Sequence, residues 1–151
     1  MKVKQTLGCR LCYLVGVAGL LCILPSCDAI DDIIGPTMVT VRLVNTGDFA
    51  VEVELYYDDE QLTPEVLLTE IGERLEFTVP AGETTTFARS CDDLQALIIE
   101  DADLNVLVGL GPETDTGVLR DGDDFNCGST ITFTFSHSAA IFDFDVDYTV
   151  N

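Results

Sequence analysis

The sequence lacks the residues on which most enzyme sites depend. It contains no tryptophan, and its one histidine is His137. Metal sites built from two or three histidines are therefore excluded. No G-x-S-x-G motif surrounds a serine, and the sequence has neither a phosphate-binding loop nor a dinucleotide-binding fingerprint. The scattered serines and carboxylates that remain are too common to indicate a reaction. We therefore expect a protein that is not an enzyme.

Basic residues are also scarce, and three of the seven lie at the start of the chain. Lys2, Lys4 and Arg10 precede the first acidic residue, Asp28. After Cys27 there is no lysine, and 27 carboxylates face four arginines, which gives a formal charge of −23. Such a surface repels nucleic acid and anionic lipid headgroups, and it keeps a domain soluble. We expect no nucleic-acid partner.

The first 26 residues have the three-part layout of an export signal. A basic stretch precedes an apolar run over residues 11–24, and Pro25 and Ser26 follow it. The run is about 14 residues long, which is shorter than the roughly 20 residues that span a bilayer. We predict that residues 1–26 are a cleaved signal peptide.

The end of this segment, Leu24-Pro25-Ser26-Cys27, resembles the lipobox of bacterial lipoproteins. In that family the cysteine thiol receives a diacylglycerol, and the signal is cut just before the cysteine. The resemblance implies lipid attachment at Cys27, with a membrane as one partner, and two or three acyl chains anchor a protein stably. It also implies a bacterial cell-envelope protein whose domain faces the periplasm or the exterior. A plain secreted protein and an uncleaved anchor are the alternatives.

The remainder of the chain divides into a tether and a domain. Residues 27–37 hold the lipid-attachment cysteine and a short tether, and residues 38–151 form the domain. Of the six cysteines, only Cys91 and Cys127 lie in that domain. Two cysteines in an exported domain most simply form a disulfide, which would stabilise the fold by about 3–4 kcal/mol. A two-ligand metal site is the alternative, although no CxxC spacing supports it.

Apolar and polar residues alternate through the domain with the period of a half-buried strand. We expect a hairpin from residues 38–44 and 51–55, and further strands at 94–99 and 104–110 that flank an acidic turn at 100–103. About eight short strands in all predict an all-β fold. The expected architecture is an antiparallel β-sandwich of the immunoglobulin-like class, with a small β-barrel as the alternative.

One stretch departs from the strand pattern and predicts a short helix near residues 64–71. Thr63 is suited to cap it, Pro64 to its first position, and Gly72 to its end. The apolar residues expected on one face of this helix are Leu67, Leu68 and Ile71.

Two acidic segments are candidates for a calcium site, the only cofactor that the sequence suggests. Residues 101–105 have the D-x-D-x-N opening of a calcium loop but lack its glycine and its final glutamate. Residues 121–126 are compact, acidic and adjacent to Cys127. The candidate ligands in this second segment are Asp121, Asp123, Asp124 and Asn126. The alternative for both segments is a polar surface loop without an ion.

A third acidic pattern occurs in the last predicted strand. Asp143, Asp145 and Asp147 alternate with bulky residues. Carboxylates two residues apart on a strand are separated by nearly 7 Å, which is too far for all three to share one ion. We predict a solvated strand face here.

The functional prediction is a non-catalytic structural or interaction module of the envelope, with an unknown protein or polysaccharide partner. A calcium-dependent binding module is the second hypothesis, and it predicts several oxygens converging at 101–105 or 121–126. A hydrolase is the third, and it predicts a cleft in which His137 lies beside a serine or an acid.

Overall fold

The computed structural model describes residues 36–106, 111–137 and 143–151. Residues 34–151 form one compact unit. Within the described ranges the chain forms nine strands and one helix. In chain order these are β1 (Met38–Asn45), β2 (Val51–Asp58), α1 (Glu65–Ile71), β3 (Glu73–Val79), β4 (Thr84–Ser90), β5 (Ala96–Leu104), β6 (Glu113–Thr114), β7 (Leu119–Arg120), β8 (Thr130–Ser136) and β9 (Asp145–Val150).

The strands form two sheets. One has the order β4-β1-β8-β9, and the other has the order β3-β2-β5-β6, with β7 also paired to β5. Neighbouring strands are antiparallel except β1 and β8, which are parallel. Neither sheet closes on itself, so the prediction of an all-β sandwich is confirmed and the barrel alternative is not needed. No helix among the described residues is long and apolar enough to cross a membrane.

A single large core lies between the two sheets because each central strand turns its alternate apolar residues inward. These inward residues are fully or almost fully buried. They include Val39, Val41 and Leu43 of β1, Val53 and Leu55 of β2, Leu97 and Leu104 of β5, and Ile131, Phe133 and Phe135 of β8.

Strand β5 is buried on both faces over its first half. Leu97 and Ile99 point into the main core, whereas Ala96 and Ile98 point outward and are covered by Leu68 of α1. The helix therefore covers part of the outer face of the second sheet. Burial on both faces explains the continuous run of apolar residues at the start of β5.

The acidic turn expected at residues 100–103 does not exist, because β5 continues through it. The register against β2 shifts between Glu54 and Leu55, so that Leu55 faces Ile99 while Glu54 faces Asp101. Such a bulge inserts one extra residue and reverses the inward-outward alternation. Ala102 and Leu104 consequently stay in the core and hold the strand in place.

The hairpin expected from β1 and β2 is also wrong, since these strands belong to different sheets. The connection that crosses between the sheets is organised by the buried side chain of Asn45. Its Nδ2 donates hydrogen bonds to the carbonyl oxygens of Phe49 (2.7 Å) and Val79 (3.0 Å), and its Oδ1 accepts one from Gly47 N (2.9 Å). Asn45 is 2 % exposed, and a buried amide needs partners for its polar atoms. The two donated bonds use both N–H groups of its side chain.

The predicted helix is present, but it is not capped by Thr63. The N-cap position is Pro64, and no side chain caps the helix. The Thr63 hydroxyl instead donates a 2.7 Å hydrogen bond to Asp58 Oδ2, which lowers the pKa of that carboxyl. Gly72 ends the helix as expected. Its N–H donates to the Leu68 carbonyl oxygen, and a Cβ at this position would overlap that oxygen.

The apolar face of the helix also differs from the prediction. Only Leu68 is buried, whereas Leu67 and Ile71 are exposed. Because α1 rests on β5 through a single side chain, its other apolar residues remain in solvent.

Cys91 and Cys127, which the sequence predicts to pair, are joined by a disulfide with a Cα–Cα distance of 5.4 Å. Cys91 follows β4 and Cys127 precedes β8, and these two strands flank β1. Beside the disulfide, Cys91 N donates to Thr37 O (3.0 Å) and Gly128 N donates to Met38 O (3.1 Å). The disulfide thus joins the two neighbours of β1 at the end where the chain enters the sandwich.

Candidate functional site

The strongest concentration of carboxylates lies on the outer face of the sheet β3-β2-β5-β6. Asp101 and Asp103 of β5 point outward together because the bulge in that strand reverses its alternation. Glu113 of β6 is paired opposite Asp103. One ligand oxygen from each of these residues lies within 4.8 Å of the others. We call Asp101, Asp103 and Glu113 the sheet carboxylate cluster.

The electrostatics of this cluster favour a bound proton or cation. Partial burial raises the pKa of Asp101 above its usual value, and the charges of Asp103 and Glu113 raise it further. The pKa of Asp103 is raised by the same causes, with Glu113 and Glu52 as its main negative neighbours. Asp101 and Asp103 are thus held near other negative charges in partly desolvated positions.

The basic and amide groups nearby are bound to other carboxylates. Arg74 of β3 forms ion pairs with Glu54 and with Glu76 (2.6 Å), and Asn105 Nδ2 donates a 2.9 Å hydrogen bond to Glu52 Oε1. Both of these ion pairs of Arg74 lie among the described residues, and neither of them includes a member of the sheet carboxylate cluster.

Three carboxylates arranged in this way could supply part of a calcium coordination sphere. Ca²⁺ takes six to eight oxygens at 2.3–2.6 Å and tolerates irregular geometry, so water would complete the shell. Asp101 and Asp103 are half-buried and Glu113 is exposed. This openness makes the cluster better suited to weak binding than to a closed structural site.

The segment 121–126 uses its polar groups to close its own turn. Asp124 Oδ2 accepts a 2.9 Å hydrogen bond from Arg120 N, and Asp121 forms an isolated bridge with Phe125. Phe125 is 1 % exposed and anchors the segment in the core.

The predicted ligands of that segment are not brought together as the sheet carboxylates are. Asp121, Asp123 and Asp124 do not form a group of three carboxylates within 4.8 Å, a condition that only the sheet carboxylate cluster meets among the described residues. Asn126 N donates to Ser129 Oγ (3.1 Å). A calcium site at this segment stays a prediction.

His137 packs against the connection between β1 and β2. Its Nε2 accepts a 3.0 Å hydrogen bond from the backbone N–H of Asp48, and its ring packs 5.7 Å from that of Phe49. The Nε2 of His137 is thus held as the acceptor of a backbone hydrogen bond. Ser90 donates its hydroxyl to Asp93 Oδ2 (2.6 Å).

The last strand, β9, begins at Asp145, and its alternating carboxylates face solvent as the sequence predicts. Asp143, Asp145 and Asp147 are exposed, whereas Phe144 is 8 % exposed and contributes to the core. Tyr148, expected on the buried side, is 46 % exposed at the edge of the sheet, with its ring 6.3 Å from that of Phe133.

The predicted signal peptide at 1–26 and the predicted lipid-attachment residue Cys27 lie outside the described residues.

Comparisons with known proteins give weak similarities of structure and none of sequence. No protein-family model matches the chain, and no curated protein matches it. Among solved structures, it is similar to the T6SS lipoprotein TssJ1 from Pseudomonas aeruginosa, with a TM-score of 0.48, 16 % identity, and coverage of 78 % of this chain and 98 % of that one. It is also similar to a protein from Eubacterium rectale, with a TM-score of 0.40, 13 % identity, and coverage of 74 % and 87 %. Both TM-scores are below 0.5, so neither similarity indicates what this chain does.

Proposed function

We propose that this chain is an exported, lipid-anchored protein of the bacterial cell envelope that acts as a non-catalytic structural or interaction module. The observation that carries the proposal is the junction Leu24-Pro25-Ser26-Cys27 at the end of a basic and then apolar leader. The disulfide between Cys91 and Cys127 is consistent with an oxidising compartment.

The geometry of the sandwich supports a non-catalytic role. The grooves on its surface are open, with volumes of about 340 to 550 Å³, and carboxylates line most of them. His137 is bound to the backbone of a neighbouring connection. The described residues therefore offer broad acidic surfaces for contact with a partner.

The anchor is tested by metabolic labelling in a bacterial host. The full chain and its Cys27→Ala variant are expressed with a radiolabelled or clickable palmitate, and the membrane fraction is separated. We expect label and membrane retention in the wild type and the loss of both in Cys27→Ala. Cys22→Ala removes another leader cysteine and serves as the matched control, which should keep the label. A label that persists in Cys27→Ala would contradict the proposal.

The alternatives give different patterns in the same experiment. A plain secreted protein would appear unlabelled in the soluble export fraction. An uncleaved anchor would stay in the membrane at the mass of the full chain, also without label. Either pattern in the wild type would overturn lipid attachment at Cys27.

A second candidate function, calcium-dependent binding, is supported by the sheet carboxylate cluster. The melting temperature of residues 28–151, which contain the whole described core, is measured in CaCl₂ and in NaCl at matched ionic strength. Specific binding should give a calcium-dependent rise that saturates, as expected for a ligand that binds only the folded state. Asp103→Asn should abolish this rise.

A matched variant locates the ion. Asp123→Asn removes the same charge from the segment 121–126 and should leave the calcium response intact. If Asp123→Asn abolishes the response and Asp103→Asn does not, the ion binds at 121–126. If both salts raise the melting temperature alike, the carboxylates are only being screened and there is no specific site.

A further inference from the structure

Helix α1 and the connection that precedes it leave an unusual amount of apolar surface in solvent. Leu62 is 81 % exposed, Val66 68 %, Leu67 42 % and Ile71 72 %. Of the six large apolar side chains that are exposed among the described residues, these four lie within ten consecutive positions. We call Leu62, Val66, Leu67 and Ile71 the α1 apolar surface. Exposed apolar residues scattered singly are normal, but a concentration of them marks a binding site.

The α1 apolar surface has an entirely acidic rim. The segment 58–73 contains no lysine or arginine. Its six carboxylates are Asp58, Asp59, Glu60, Glu65, Glu70 and Glu73.

Three arginines lie close to this segment, and one of them, Arg74, forms ion pairs with Glu54 and Glu76. Arg120 donates to the carbonyl oxygens of Gln61 and Thr63, and so holds the connection that leads to the helix. Arg89 donates to the Tyr57 hydroxyl. The acceptors of Arg120 and Arg89 are neutral, so both arginines keep their positive charge, but two positive charges offset only part of the six negative charges and the rim remains net negative.

Beside the helix a groove of about 340 Å³ continues this pattern. It runs between α1 and the outer face of β5. Its lining includes the apolar side chains of Val66 and Ile98 and the carboxylates of Glu65, Glu70, Glu100 and Asp115. A ligand in this groove would meet apolar carbon on its floor and negative charge along its sides.

We propose that the α1 apolar surface and this groove dock a cationic, amphipathic segment of a partner protein. Apolar side chains of that segment would cover Val66 and Ile71, and its lysines or arginines would face the carboxylates of the rim. Burial of apolar area supplies affinity, and complementary charge supplies orientation and a fast association rate. This inference rests on the proposed function as an interaction module and specifies the chemistry of the partner.

The charge of the rim argues against the other occupants. In a symmetric pair of chains the acidic rim of one copy would face that of the other, which like-charge repulsion disfavours. An anionic lipid surface would be repelled for the same reason.

The proposal is tested with residues 28–151 and a fluorescein-labelled 18-residue peptide of leucine and lysine, arranged to form an amphipathic helix. Binding is measured by fluorescence anisotropy at 150 mM NaCl, where general attraction between exposed charges is screened. The double variant Val66→Ser/Ile71→Ser removes apolar carbon without changing charge. We expect its affinity to be lower by about tenfold or more.

The matched control is Met38→Ser/Tyr148→Ser, which removes the two exposed large apolar side chains of the described residues outside the α1 apolar surface. We expect wild-type affinity from it. Equal affinity of both double variants and the wild type would overturn the proposal, as would an equal loss in both.

A second pair of variants tests the rim. Glu65→Gln/Glu70→Gln should weaken binding several-fold more than Asp145→Asn/Asp147→Asn, which removes the same charge from β9. Equal effects would show only a general attraction of a cation to an acidic protein, and would overturn the docking site.

Self-association is checked by analytical ultracentrifugation. We expect a monomer. A dimer that becomes monomeric in Val66→Ser/Ile71→Ser would identify a second copy as the occupant and overturn the proposal. Palmitate labelling at Cys27 does not depend on these residues, so failure of the docking site and failure of the anchored-module proposal are told apart.

Discussion

Arg89 of β4 donates a 2.9 Å hydrogen bond from its Nε to the hydroxyl of Tyr57 of β2, and so joins an edge strand of one sheet to a central strand of the other. The guanidinium carbon also lies 5.3 Å from the centroid of the Tyr57 ring. The Tyr57 hydroxyl in turn donates to the carboxylate of Glu73. Burial raises the pKa of Tyr57, and the hydrogen bond to Glu73 raises it further. Arg89, Tyr57 and Glu73 thus form a chain of hydrogen bonds that links the two sheets at this end of the sandwich.

Tyr57→Phe should destabilise the domain by about 1–2 kcal/mol, because Arg89 and Glu73 lose a shared partner while the ring stays in place. The measurement is the free energy of unfolding from urea denaturation. Tyr148→Phe is the control, since that side chain is exposed, and we expect a change of less than about 0.5 kcal/mol. Equal stability of the two variants would show that the inter-sheet bond contributes nothing.

Asn45→Ala should lower the free energy of unfolding by roughly 2–4 kcal/mol. It leaves the carbonyl oxygens of Phe49 and Val79 and the N–H of Gly47 without their partner at a buried position. Thermal unfolding followed by circular dichroism measures the effect. Asn105→Ala removes an amide that binds exposed Glu52, and its effect should be small. A small loss in Asn45→Ala would mean that water replaces the side chain at the crossing.

Alanine substitutions at two glycines with positive φ can distinguish the cost of backbone strain from the cost of steric overlap. Gly82 (φ 70°) lies in a turn closed by the Glu83 N–H to Pro80 carbonyl bond, with open space where a Cβ would be. Gly128 (φ 92°) would place a Cβ 2.6 Å from Cβ of Pro36. Gly82→Ala should cost about 1 kcal/mol, and Gly128→Ala about 1–3 kcal/mol more.

The same denaturation series includes Gly117→Ala as its reference. Gly117 has neither a positive φ nor any atom near the position of its Cβ, so a change near zero is expected. If Gly128→Ala and Gly82→Ala lose equal stability, Pro36 moves aside without cost.

The sheet carboxylate cluster should make stability depend on pH in a definite direction. The pKa values of Asp101 and Asp103 are raised by folding, so these groups destabilise the folded state when ionised. Stability should therefore rise as the pH falls from 7 through their raised pKa values. Asp103→Asn, measured in EDTA, should raise the melting temperature by a few degrees at pH 7, and the gain should shrink near pH 4.

Asp145→Asn is the comparison for this effect, because it removes one negative charge from an exposed strand face. If it stabilises the domain as much as Asp103→Asn does at every pH, the effect comes from net charge and not from the cluster.

The sequence predicted the β-sandwich because the alternation of apolar and polar residues can be recognised within each strand. Which strands pair with one another depends on contacts between distant residues and has no such local signal. Residues 45–48 have turn chemistry that fits a hairpin as well as a crossing between sheets. The choice is made by the bond from Asn45 to Val79, which is 34 positions away. Thr63 was likewise a plausible cap, and its hydroxyl binds Asp58 instead. In both cases a partner that lies outside the local pattern decides the outcome.

The sequence indicated two of the three members of the sheet carboxylate cluster, Asp101 and Asp103, but not Glu113. The spacing of Asp101 and Asp103 indicates a pair of possible ligands, but the acidic residues of 100–103, which are disfavoured in strands, predict a turn there. The alternating burial of Ala102 and Leu104 outweighs that preference. Glu113 joins the cluster through a strand of two residues, which is too short to produce a periodic signal.

The position of β1 between β4 and β8 determines how the domain would respond to tension. A pull directed along the axis of β1 would have to shear its hydrogen bonds to both neighbours together. Those neighbours are tied to each other by Cys91 and Cys127 at the end where the chain enters the sandwich. At that end, β4 and β8 therefore cannot separate from each other while the disulfide is intact, even if β1 loses its hydrogen bonds to both.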